Sequence, residues 1–430
     1  MADTGPETRR VLFLQGPLSP LYRQMGLLVR AMGHEAFRIN ICAGDWLHWH
    51  GPECTSFKGR PQDFGAFVGA FMDDHRITDL VLHGDQRIYH RAAIGEGRDR
   101  GVYVAVTELG MIRPGWMTLE RNGLSTVSHF PRDPSAIRRI SEDCGPVDRS
   151  PAFPSSFWLQ TVPDVIYNLA NVAGQVLYPH YQRHTIYHPV PEYLRGGWRL
   201  LNKAKRDRQA DAILRDVVGK AASIFLLPLQ LEGDFQLRRH SPYQSFSQVI
   251  GEVVRDFAAH APPQSHLILK SHPLDIGVEG WGGVISSAAD QARVKERVHF
   301  LDGGHLDSLF QHVHGVVTVN STAGLDALIH GIPVKTLVPA HYDIEGMTHQ
   351  GGLSGFWNAP QPPDMDLCAA YLNAIAATIQ VRGSIHNKDG VPVAARNMVE
   401  RILARTLNEP GGYLPDPPRL EPARRIGVPL

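Results

Sequence analysis

Apolar runs of strand length alternate with helical patterns along the first quarter of the chain. These runs occupy positions 11–15, 37–41, 80–83 and 102–106. The first run is bounded by Gly16 and Pro17, and apolar residues then recur at helical spacing from Leu21 to Met32. The segments between the runs are long enough for the crossovers that parallel strands require. We therefore predict a doubly wound, Rossmann-like αβα domain over residues 1–150.

A second series of the same kind begins near residue 223. Its runs of strand length occupy positions 223–229, 266–270, 298–301, 315–319 and 334–338. Between the first two runs, apolar residues from Phe246 to Phe257 mark one face of a helix. We predict a second Rossmann-like αβα domain over residues 219–400. The predicted fold class is α/β, with two such domains facing an interdomain cleft.

The remaining segments lack strand signals. Residues 151–218 are rich in Tyr, His, Leu and Arg, and we predict a mainly helical connection there. Residues 401–430 form a tail that is rich in proline from Glu409 onward, which favours irregular structure. No run approaches the roughly 20 apolar residues that span a bilayer, and the N-terminus lacks the apolar core of a signal peptide. We expect a cytoplasmic protein that can still touch a membrane surface.

Charge and cysteine content narrow the classes of function. The chain has 43 Lys and Arg against 43 Asp and Glu, so its formal net charge is zero and it carries no overall basic footprint for nucleic acid. Any anion must therefore be held by a local site. The cysteines are Cys42, Cys54, Cys144 and Cys368. They form no C-x-x-C pair, which predicts neither a disulfide framework nor a zinc cluster and favours a reducing compartment.

Two segments of the second series place anion-binding groups directly after predicted strands. Lys270-Ser-His-Pro273 closes one strand, where His272 and Lys270 offer an imidazole and an ammonium donor. Asn320-Ser-Thr-Ala-Gly324 follows another strand and opens a short helix. Hydroxyl groups, free backbone amides and the positive end of a helix dipole are typical of a phosphate cradle. The alternatives are a plain strand end with a surface histidine, and ordinary N-capping of the helix.

Carboxylates follow three of the predicted strands, at Asp85, Glu108 and Asp234. Glycosyl or phosphoryl transfer needs such groups as a base, a nucleophile or a stabiliser of positive charge, so all three are candidate catalytic residues. The alternative for each is a helix cap or an ion pair. The loop after the first strand, residues 15–20, is not a G-x-G-x-x-G sequence, which argues against a nicotinamide or flavin dinucleotide site.

Two further patterns bear on metal and on lipid. The chain has 22 histidines, but neither His48-Trp-His50 nor His83-Gly-Asp85 has a specific ligand spacing such as H-E-x-x-H, and we predict no metal site. Residues 195–208 carry six Lys or Arg against one Asp, beside three large apolar residues. This pattern suits an amphipathic face that lies on anionic lipid, and a solvated helix face is the alternative.

Several of these stretches, taken together and in order, resemble the capsule polysaccharide biosynthesis and export proteins of the KpsS type, which occur in Gram-negative capsule systems. The resemblance covers residues 12–357. Its matching pieces are residues 13–18, 44–45, 83–85, 108–120, 130–134, 229–234 with 240–241, 270–273, 320–324 and 342–351. No single piece decides the match, and their order and spacing carry it.

The resemblance implies a retaining transferase of the GT-B fold that moves a β-linked Kdo residue from CMP-Kdo to a lipid-linked acceptor. It implies no further cofactor and no metal, because histidine and helix amides can stabilise a nucleoside monophosphate leaving group. The implied donor-binding residues are Gln230, Lys270, His272, Pro273, Asn320, Ser321, Thr322 and Gly324. The catalytic carboxylate is sought among Glu108, Asp234 and Asp85. Other capsule assembly proteins are the expected partners, and the expected location is cytoplasmic or peripheral on the inner membrane.

One position departs from the family pattern. Relatives carry two consecutive acids before the glycine of an E-[DE]-G motif, whereas this chain has Glu108-Leu109-Gly110. A leucine side chain neither attacks an anomeric carbon nor stabilises an oxocarbenium ion, so Glu108 or Asp234 has to take that role. Two alternatives follow. One is a catalytically silent partner that binds nucleotide or glycan in the export machinery, and the other is a transferase for another CMP-activated keto sugar, such as a sialic acid.

Overall fold

A computed structural model describes residues 8–430 and contains both predicted series of parallel strands. The strands are β1 (Arg10–Phe13), β2 (Glu35–Asn40), β3 (Cys54–Ser56), β4 (Asp79–His83), β5 (Tyr103–Leu109), β6 (Trp116–Arg121), β7 (Ser223–Pro228), β8 (Ser265–Lys270), β9 (Val298–Leu301), β10 (Gly315–Thr318), β11 (Val334–Thr336) and β12 (Gln380–Arg382). The helices are α1 (Leu21–Ala31), α2 (Ala43–His48), α3 (Phe64–Asp74), α4 (Ile88–Asp99), α5 (Pro134–Cys144), α6 (Phe157–Ala173), α7 (Pro189–Leu201), α8 (Lys203–Val218), α9 (Phe235–Arg238), α10 (Phe246–His260), α11 (Trp281–Gln291), α12 (Leu306–Phe310), α13 (Thr322–Ile329), α14 (Leu353–Phe356), α15 (Met365–Thr378), α16 (Gly390–Leu403) and α17 (Leu420–Arg425).

The first compact unit comprises the described residues up to Pro131, together with Arg139–Pro189 and Leu372–Pro417. Its sheet has the strand order β12-β6-β5-β4-β1-β2-β3. The run from β3 to β5 is parallel, and β6 is antiparallel to both of its neighbours. Helices α1 and α16 cover one face, and α3 and α4 cover the other. The first predicted Rossmann-like sheet is therefore confirmed as doubly wound.

The strands of this sheet form because both of their faces are buried. In β1, Val11 and Phe13 pack on the side of α1, whereas Leu12 packs on the side of α3, as the two-residue period of a strand requires. Every residue of β4 is buried. A strand covered on both faces reads as a continuous apolar run, which is why the sequence predicts this one so directly.

The second compact unit comprises Arg132–Arg138, Val190–Tyr371 and Pro418–Leu430. Its sheet is parallel throughout, in the order β11-β10-β7-β8-β9. Helices α10, α11 and α14 pack on one face of it. The rings of Phe257 and Trp357 meet edge to face in this core, with 5.3 Å between their centroids. The second predicted Rossmann-like sheet is therefore also confirmed.

The chain returns to the first sheet after it has completed the second, which differs from the predicted boundaries at 150, 218 and 400. Strand β12 pairs antiparallel with β6 and places Gln380 opposite Thr118. Helix α16 then completes a core of the first unit. The mainly helical connection is confirmed in α6, α7 and α8. Across residues 8–430, no helix has the length and apolar character needed to cross a membrane.

The C-terminal tail is more ordered than its proline content predicts. It contains the short helix α17, and the fully buried Arg419 lies just before that helix. Arg419 Nε donates to the carbonyl oxygen of Ala340 at 3.2 Å, and Nη2 donates to that of His341 at 2.6 Å. A buried guanidinium is tolerated only where such hydrogen bonds replace its water. Residues 409–419 are turn and coil, as expected, whereas α17 and the contacts of Arg419 make residues 418–430 an ordered part of the second unit.

We predict that Arg419→Ala lowers the free energy of unfolding by about 2–4 kcal/mol, because it leaves two buried carbonyl groups without their donor. The matched control is Arg424→Ala in α17, whose exposed side chain pairs with Glu421. The control should lose far less stability. Urea unfolding followed by tryptophan fluorescence measures both variants, and equal losses would contradict the role given to Arg419.

Candidate functional site

The strand order reverses once in each sheet, and ligands of open α/β sheets bind outside the carboxyl ends of strands at such points. In the first sheet the reversal lies between β1 and β4. Gln15 lies just after the end of β1, and His83 is the last residue of β4. In the second sheet it lies between β7 and β10, which lead to Gln230 and Asn320. Each unit therefore has one candidate site, called the first and the second half-site below.

The second half-site is built on a hydrogen bond across the reversal. Gln230 Nε2 donates to Asn320 Oδ1 at 3.1 Å, and Asn320 Nδ2 donates to the carbonyl oxygen of Gln236 at 2.8 Å. Gln230 is buried, and no residue within 8–430 donates to its Oε1. A buried amide oxygen without a partner carries a desolvation cost that a bound ligand can remove. The unpaired oxygen therefore marks this edge as a candidate position for a ligand that donates a hydrogen bond.

Helix α13 begins at the same edge with Ser321 as its N-cap. Ser321 Oγ accepts from the amide of Ala323 at 3.2 Å, and the Ser321 amide donates to Thr318 Oγ1 at 3.2 Å. Tyr342 Oη donates to the carbonyl oxygen of Ser321. A Cβ added at Gly324 would lie 2.3 Å from that hydroxyl, so only glycine allows Tyr342 to hold the first turn.

Capping and anion binding are compatible at this helix start. The hydroxyl of Ser321 accepts from the backbone and still has its own proton to donate. Thr322 is the first residue of α13, and its side chain is partly exposed. The amides of the first turn, the helix dipole and two hydroxyl groups thus lie together at the carboxyl edge of the second sheet.

His272 follows β8, which flanks β7 on the side opposite to β10. The amide of Leu274 donates to His272 Nδ1 at 3.1 Å, which assigns the ring proton to Nε2. Nε2 is then the donor nitrogen. The strands that His272 and Ser321 follow, β8 and β10, lie two strands or about 10 Å apart in one sheet. This spacing suits a ligand that bridges the ends of β8 and β10.

Lys270 lies beneath this edge and not on it. It is buried, and its Nζ donates to the carbonyl oxygen of Ser271 at 3.2 Å. Burial lowers the pKa of Lys270, and the negative charges of Asp207 and Asp302 oppose that shift. The geometry gives Lys270 a supporting place below the loop, and its contact with a donor stays a prediction.

Asp234 caps the short helix α9. Its Oδ1 accepts from the amide of Gln236 at 2.8 Å. The carbonyl oxygen of the same Gln236 accepts from Asn320, so the turn capped by Asp234 orients the second half-site. The structure thus shows a positioning contact for Asp234, and its predicted catalytic role is not tested by this contact.

Gln15 lies at the centre of the first half-site and is buried. Its Nε2 donates to Tyr167 Oη at 2.6 Å, and its Oε1 accepts from Arg87 Nη1 at 2.8 Å. Tyr167 Oη donates to Asp45 Oδ1 at 3.0 Å, and Asp45 pairs with the buried Arg38 at 3.2 Å. These hydrogen bonds tie α6 to the carboxyl edge of the first sheet and hold the Arg87 guanidinium there.

Glu108 lies near the end of β5 with its side chain partly exposed, and His83 lies beside it. His83 Nε2 is 3.6 Å from Glu108 Oε1, and His83 Nδ1 is 2.9 Å from Thr107 Oγ1. Burial first, and then the charge of Arg87, lower the pKa of His83 well below its usual value. The imidazole is therefore neutral near pH 7. Glu108 is a carboxylate at this edge that a substrate can reach.

Neither Asp85 nor Leu109 offers a carboxylate that a substrate can reach. Asp85 is buried, and its Oδ2 accepts from the amide of Leu124 at 3.0 Å, which is a backbone cap. Leu109 follows Glu108 directly, so the two side chains point to opposite faces of β5. The leucine is 37% exposed.

Histidines and cysteines form no metal centre in the part of the chain that the structure describes, where no three potential ligand side chains converge. His48 Nδ1 lies 3.4 Å from the carbonyl oxygen of Ser19, and His50 Nδ1 lies 3.0 Å from that of Trp46. All four cysteines are free.

Comparison with known proteins decides the family. A family model described as "Capsule polysaccharide biosynthesis protein" matches residues 78–386. The chain belongs to this family. It is 27% identical over 385 residues to the capsule polysaccharide export protein KpsS of Escherichia coli, a match that covers 87% of this chain and 96% of KpsS. The resemblance drawn from the sequence motifs is thereby confirmed.

Two further matches accompany this assignment to the capsule polysaccharide biosynthesis family. The chain is 30% identical over 391 residues to the capsule polysaccharide modification protein LipB of Neisseria meningitidis serogroup B, which covers 88% of this chain and 92% of LipB. Among solved structures, the beta Kdo 2,7 transferase KpsC of Thermosulfurimonas dismutans matches 91% of this chain and 99% of its own, at 14% identity and a TM-score of 0.43.

Some candidate residues of this capsule family member were not singled out from the sequence. Arg87 and Tyr167 converge on Gln15 in the first half-site. Arg87 follows β4 closely, so a search for charges after strands could have found it. Tyr167 lies in a helix far along the chain, and no local pattern indicates that its hydroxyl returns to the end of β1.

The first unit of this capsule family member also buries a histidine with one unused nitrogen. His90 is fully buried in α4, its Nδ1 donates to the carbonyl oxygen of Gly84 at 2.7 Å, and no residue within 8–430 forms a hydrogen bond with its Nε2. Burial lowers the pKa of His90 well below its ordinary value, and the charge of Arg87 lowers it further. The folded protein therefore keeps His90 neutral under conditions in which the unfolded chain binds a proton there.

We predict that the free energy of unfolding is constant above about pH 7 and decreases below about pH 6.5. In that range buried histidines such as His90 bind a proton in the unfolded chain but not in the folded protein. His90→Gln removes this proton uptake, so its urea midpoint should fall less between about pH 7.5 and 5.5. His260→Gln is the matched control, because His260 is exposed on α10. A pH dependence in His90→Gln equal to that of the control would count against the buried neutral imidazole.

Proposed function

We propose that this protein is a glycosyltransferase of capsule polysaccharide biosynthesis that transfers β-Kdo from CMP-Kdo to a lipid-linked acceptor. In this proposal the second unit binds the donor and the first unit binds the acceptor and supplies the carboxylate. The second half-site carries the proposal. It offers an imidazole donor, a helix start and the buried Gln230 oxygen along the carboxyl edge of one sheet.

The chemistry of a CMP leaving group fits these residues. As the bond between the anomeric carbon and the phosphate oxygen breaks, negative charge grows on a single phosphoryl group. The His272 Nε2–H and the amides of α13 stabilise such a charge without transferring a proton, so a metal ion is not needed for this step. The residues proposed to hold the donor are Gln230, His272, Pro273, Asn320, Ser321, Thr322 and Gly324, with Lys270 supporting the loop from below.

Glu108 is the proposed catalytic carboxylate. Retention of configuration requires either two displacements through a carboxylate nucleophile or attack on the face that the leaving group vacates. A reachable carboxylate serves both routes, as the nucleophile or as a stabiliser of positive charge on the sugar. Glu108 is partly exposed, whereas Asp85 is buried as a cap. Because burial keeps His83 neutral, the pair carries one negative charge, which suits either route.

Leu109 supports a second candidate function. Its side chain is at the surface, at the position where relatives carry an acid, and it supplies no charge there. A chain that lacked the catalytic acid would still have the second half-site. It would then bind the nucleotide without turning it over, as a silent partner in capsule export.

A lipid-linked acceptor has a consequence for location. Its lipid tail stays in the bilayer, so the proposed reaction takes place at the cytoplasmic face of the inner membrane, with the protein peripheral on that surface. Other capsule assembly proteins at the same membrane are proposed as partners.

We predict that His272→Ala lowers CMP release from CMP-Kdo by about 100-fold or more, because the leaving phosphate loses a preorganised donor. The melting temperature should shift by less than about 2 °C, since His272 lies partly exposed in a loop. CMP release is measured with a Kdo-primed lipid acceptor, in parallel with CMP-sialic acid as a rival donor.

The exposed His260→Ala is the control for this histidine, and it should keep the wild-type rate. A wild-type rate in His272→Ala would remove the assignment of the second half-site. CMP binding by calorimetry supplies a readout that does not depend on turnover, and it separates a silent binder from a protein without a nucleotide site.

We predict that Glu108→Gln lowers CMP release by about 100-fold or more and leaves the affinity for CMP unchanged, because an amide neither attacks the anomeric carbon nor balances its charge. Glu142→Gln, on an exposed part of α5, is the matched control.

A third variant, Leu109→Asp, decides between the two candidate functions. If the wild-type chain binds CMP but releases none from CMP-Kdo, and Leu109→Asp restores release, then the natural protein is the silent partner. If the wild-type chain turns over and Glu108→Gln does not, Glu108 is the catalytic carboxylate.

A further inference from the structure

Helix α7 of the second unit carries an apolar stripe on its exposed face. Val190, Leu194, Trp198 and Leu201 recur at intervals of three or four residues, which places them on one side of the helix. Their exposed fractions are 41%, 73%, 69% and 82%. Large apolar side chains exposed to this extent in a contiguous row are costly in water, and such rows mark interaction surfaces.

The opposite side of α7 and α8 is fastened to the second unit by ion pairs. Arg199 Nη2 contacts Asp302 Oδ1 at 2.5 Å, and Arg206 Nη1 contacts the same oxygen at 3.4 Å. On α8, Lys203 pairs with Asp207 at 2.6 Å, and Asp207 accepts from the amide of Gly304 at 2.8 Å. These residues therefore hold the two helices in place and leave the stripe facing outward.

The other basic residues of this segment lie on the outward side without acidic partners. Arg195, Lys205 and Arg208 are exposed, and none of them makes an ion pair with a residue in the described part of the chain. Lys205 and Arg208 continue the line of Trp198 and Leu201, because the Arg206 amide bonds to the Asn202 carbonyl and carries α7 almost unbroken into α8. The basic residues with acidic partners therefore lie on the side of the helices that packs on the second unit, and those without acidic partners lie beside the stripe.

We propose that this face, made of the α7 stripe with Arg195, Lys205 and Arg208, docks on an anionic lipid bilayer. The four apolar side chains enter the boundary between headgroups and acyl chains, and the three cations contact lipid phosphates. Tryptophan and leucine beside unpaired basic residues are the composition of an interfacial helix. This docking surface is an inference beyond the proposed transferase function. Lipid binding can be tested without the sugar donor and without the acceptor.

The side of α7 opposite to the stripe packs on the loop of the second half-site. Ile276 lies within van der Waals reach of α7 at Gly196, and the Arg199 side chain packs against Gly277. Both residues belong to the loop that follows His272, and that loop exposes two more apolar side chains, Leu274 and Val278. This loop therefore packs on the side of α7 that faces away from the stripe, and it holds the helix from behind.

Charge argues against a second copy of this chain as the occupant. A symmetric dimer through this face would use the same patch twice, and its unpaired cations would then face one another. The face carries no exposed acidic residue on α7 to relieve that repulsion, since Glu192 is partly buried. A surface of lipid phosphates supplies the missing negative charge.

The test uses the full chain and flotation with vesicles of phosphatidylglycerol and phosphatidylethanolamine in about equal amounts, against vesicles of phosphatidylcholine. Leu194→Ser with Trp198→Ser removes the stripe, and Arg195→Glu with Lys205→Glu reverses the charges. Lys220→Glu with Lys295→Glu is the control for net charge, and Trp46→Ser is the control for loss of an exposed tryptophan. Melting temperatures confirm that each variant folds.

We expect wild-type protein to bind the anionic vesicles and both stripe and charge variants to bind about tenfold or more weakly, with the controls unchanged. Equal binding of wild-type protein and both variants would overturn the proposal. So would binding that depends on charge alone, because the stripe would then not insert. A wild-type dimer in light scattering that the stripe variant dissociates would assign the face to a second copy instead. CMP release is measured separately, so a failure here is distinguishable from a failure of the proposed transferase.

Discussion

The reversal of strand order is the constraint on which both half-sites depend. Parallel strands bury their apolar side chains on both faces, so few polar groups are tolerated until a strand ends. At a reversal the two neighbouring connections leave in opposite directions and uncover the strand ends between them. Gln15 with His83, and Gln230 with Asn320, occupy these two places. The polar residues of each sheet therefore collect where the fold leaves an opening.

Buried polar groups near these openings are almost all satisfied by the protein itself. In the first unit, hydrogen bonds and an ion pair link the side chains of Gln15, Tyr167, Asp45 and Arg38. In the second unit, Tyr342 and Thr318 hold the first turn of α13 by hydrogen bonds. Such networks hold side chains in one arrangement before a ligand arrives. In the second half-site the Gln230 amide oxygen has no hydrogen-bond partner among the described residues, and in the first unit His90 Nε2 has none. A preorganised site with an unpaired polar group can bind a ligand that supplies the missing hydrogen bond.

The sequence predicted all the parallel strands except β3, and the residues at their ends, because both follow from local patterns: a buried strand is a short apolar run, and the residue after it is at the edge. It did not predict β3, β6 or β12, because these strands at or near the sheet edges are not continuous apolar runs. It placed Asp85 and Asp234 at strand ends but could not show that both cap backbone amides. Contacts between distant segments, such as Tyr167 with Gln15, depend on tertiary packing that no local period encodes.

The late return of the chain to its first sheet bears on how the protein is made. One face of that sheet, including Phe13 and Val81, is covered by α1 and by α16, and α16 leaves the ribosome only near the end of synthesis. Until then the apolar side chains beneath α16 lack their cover, while most of the second unit is being translated. A nascent chain in that condition is prone to aggregate and is a natural client for chaperones. Truncation before residue 390 would make this exposed condition permanent.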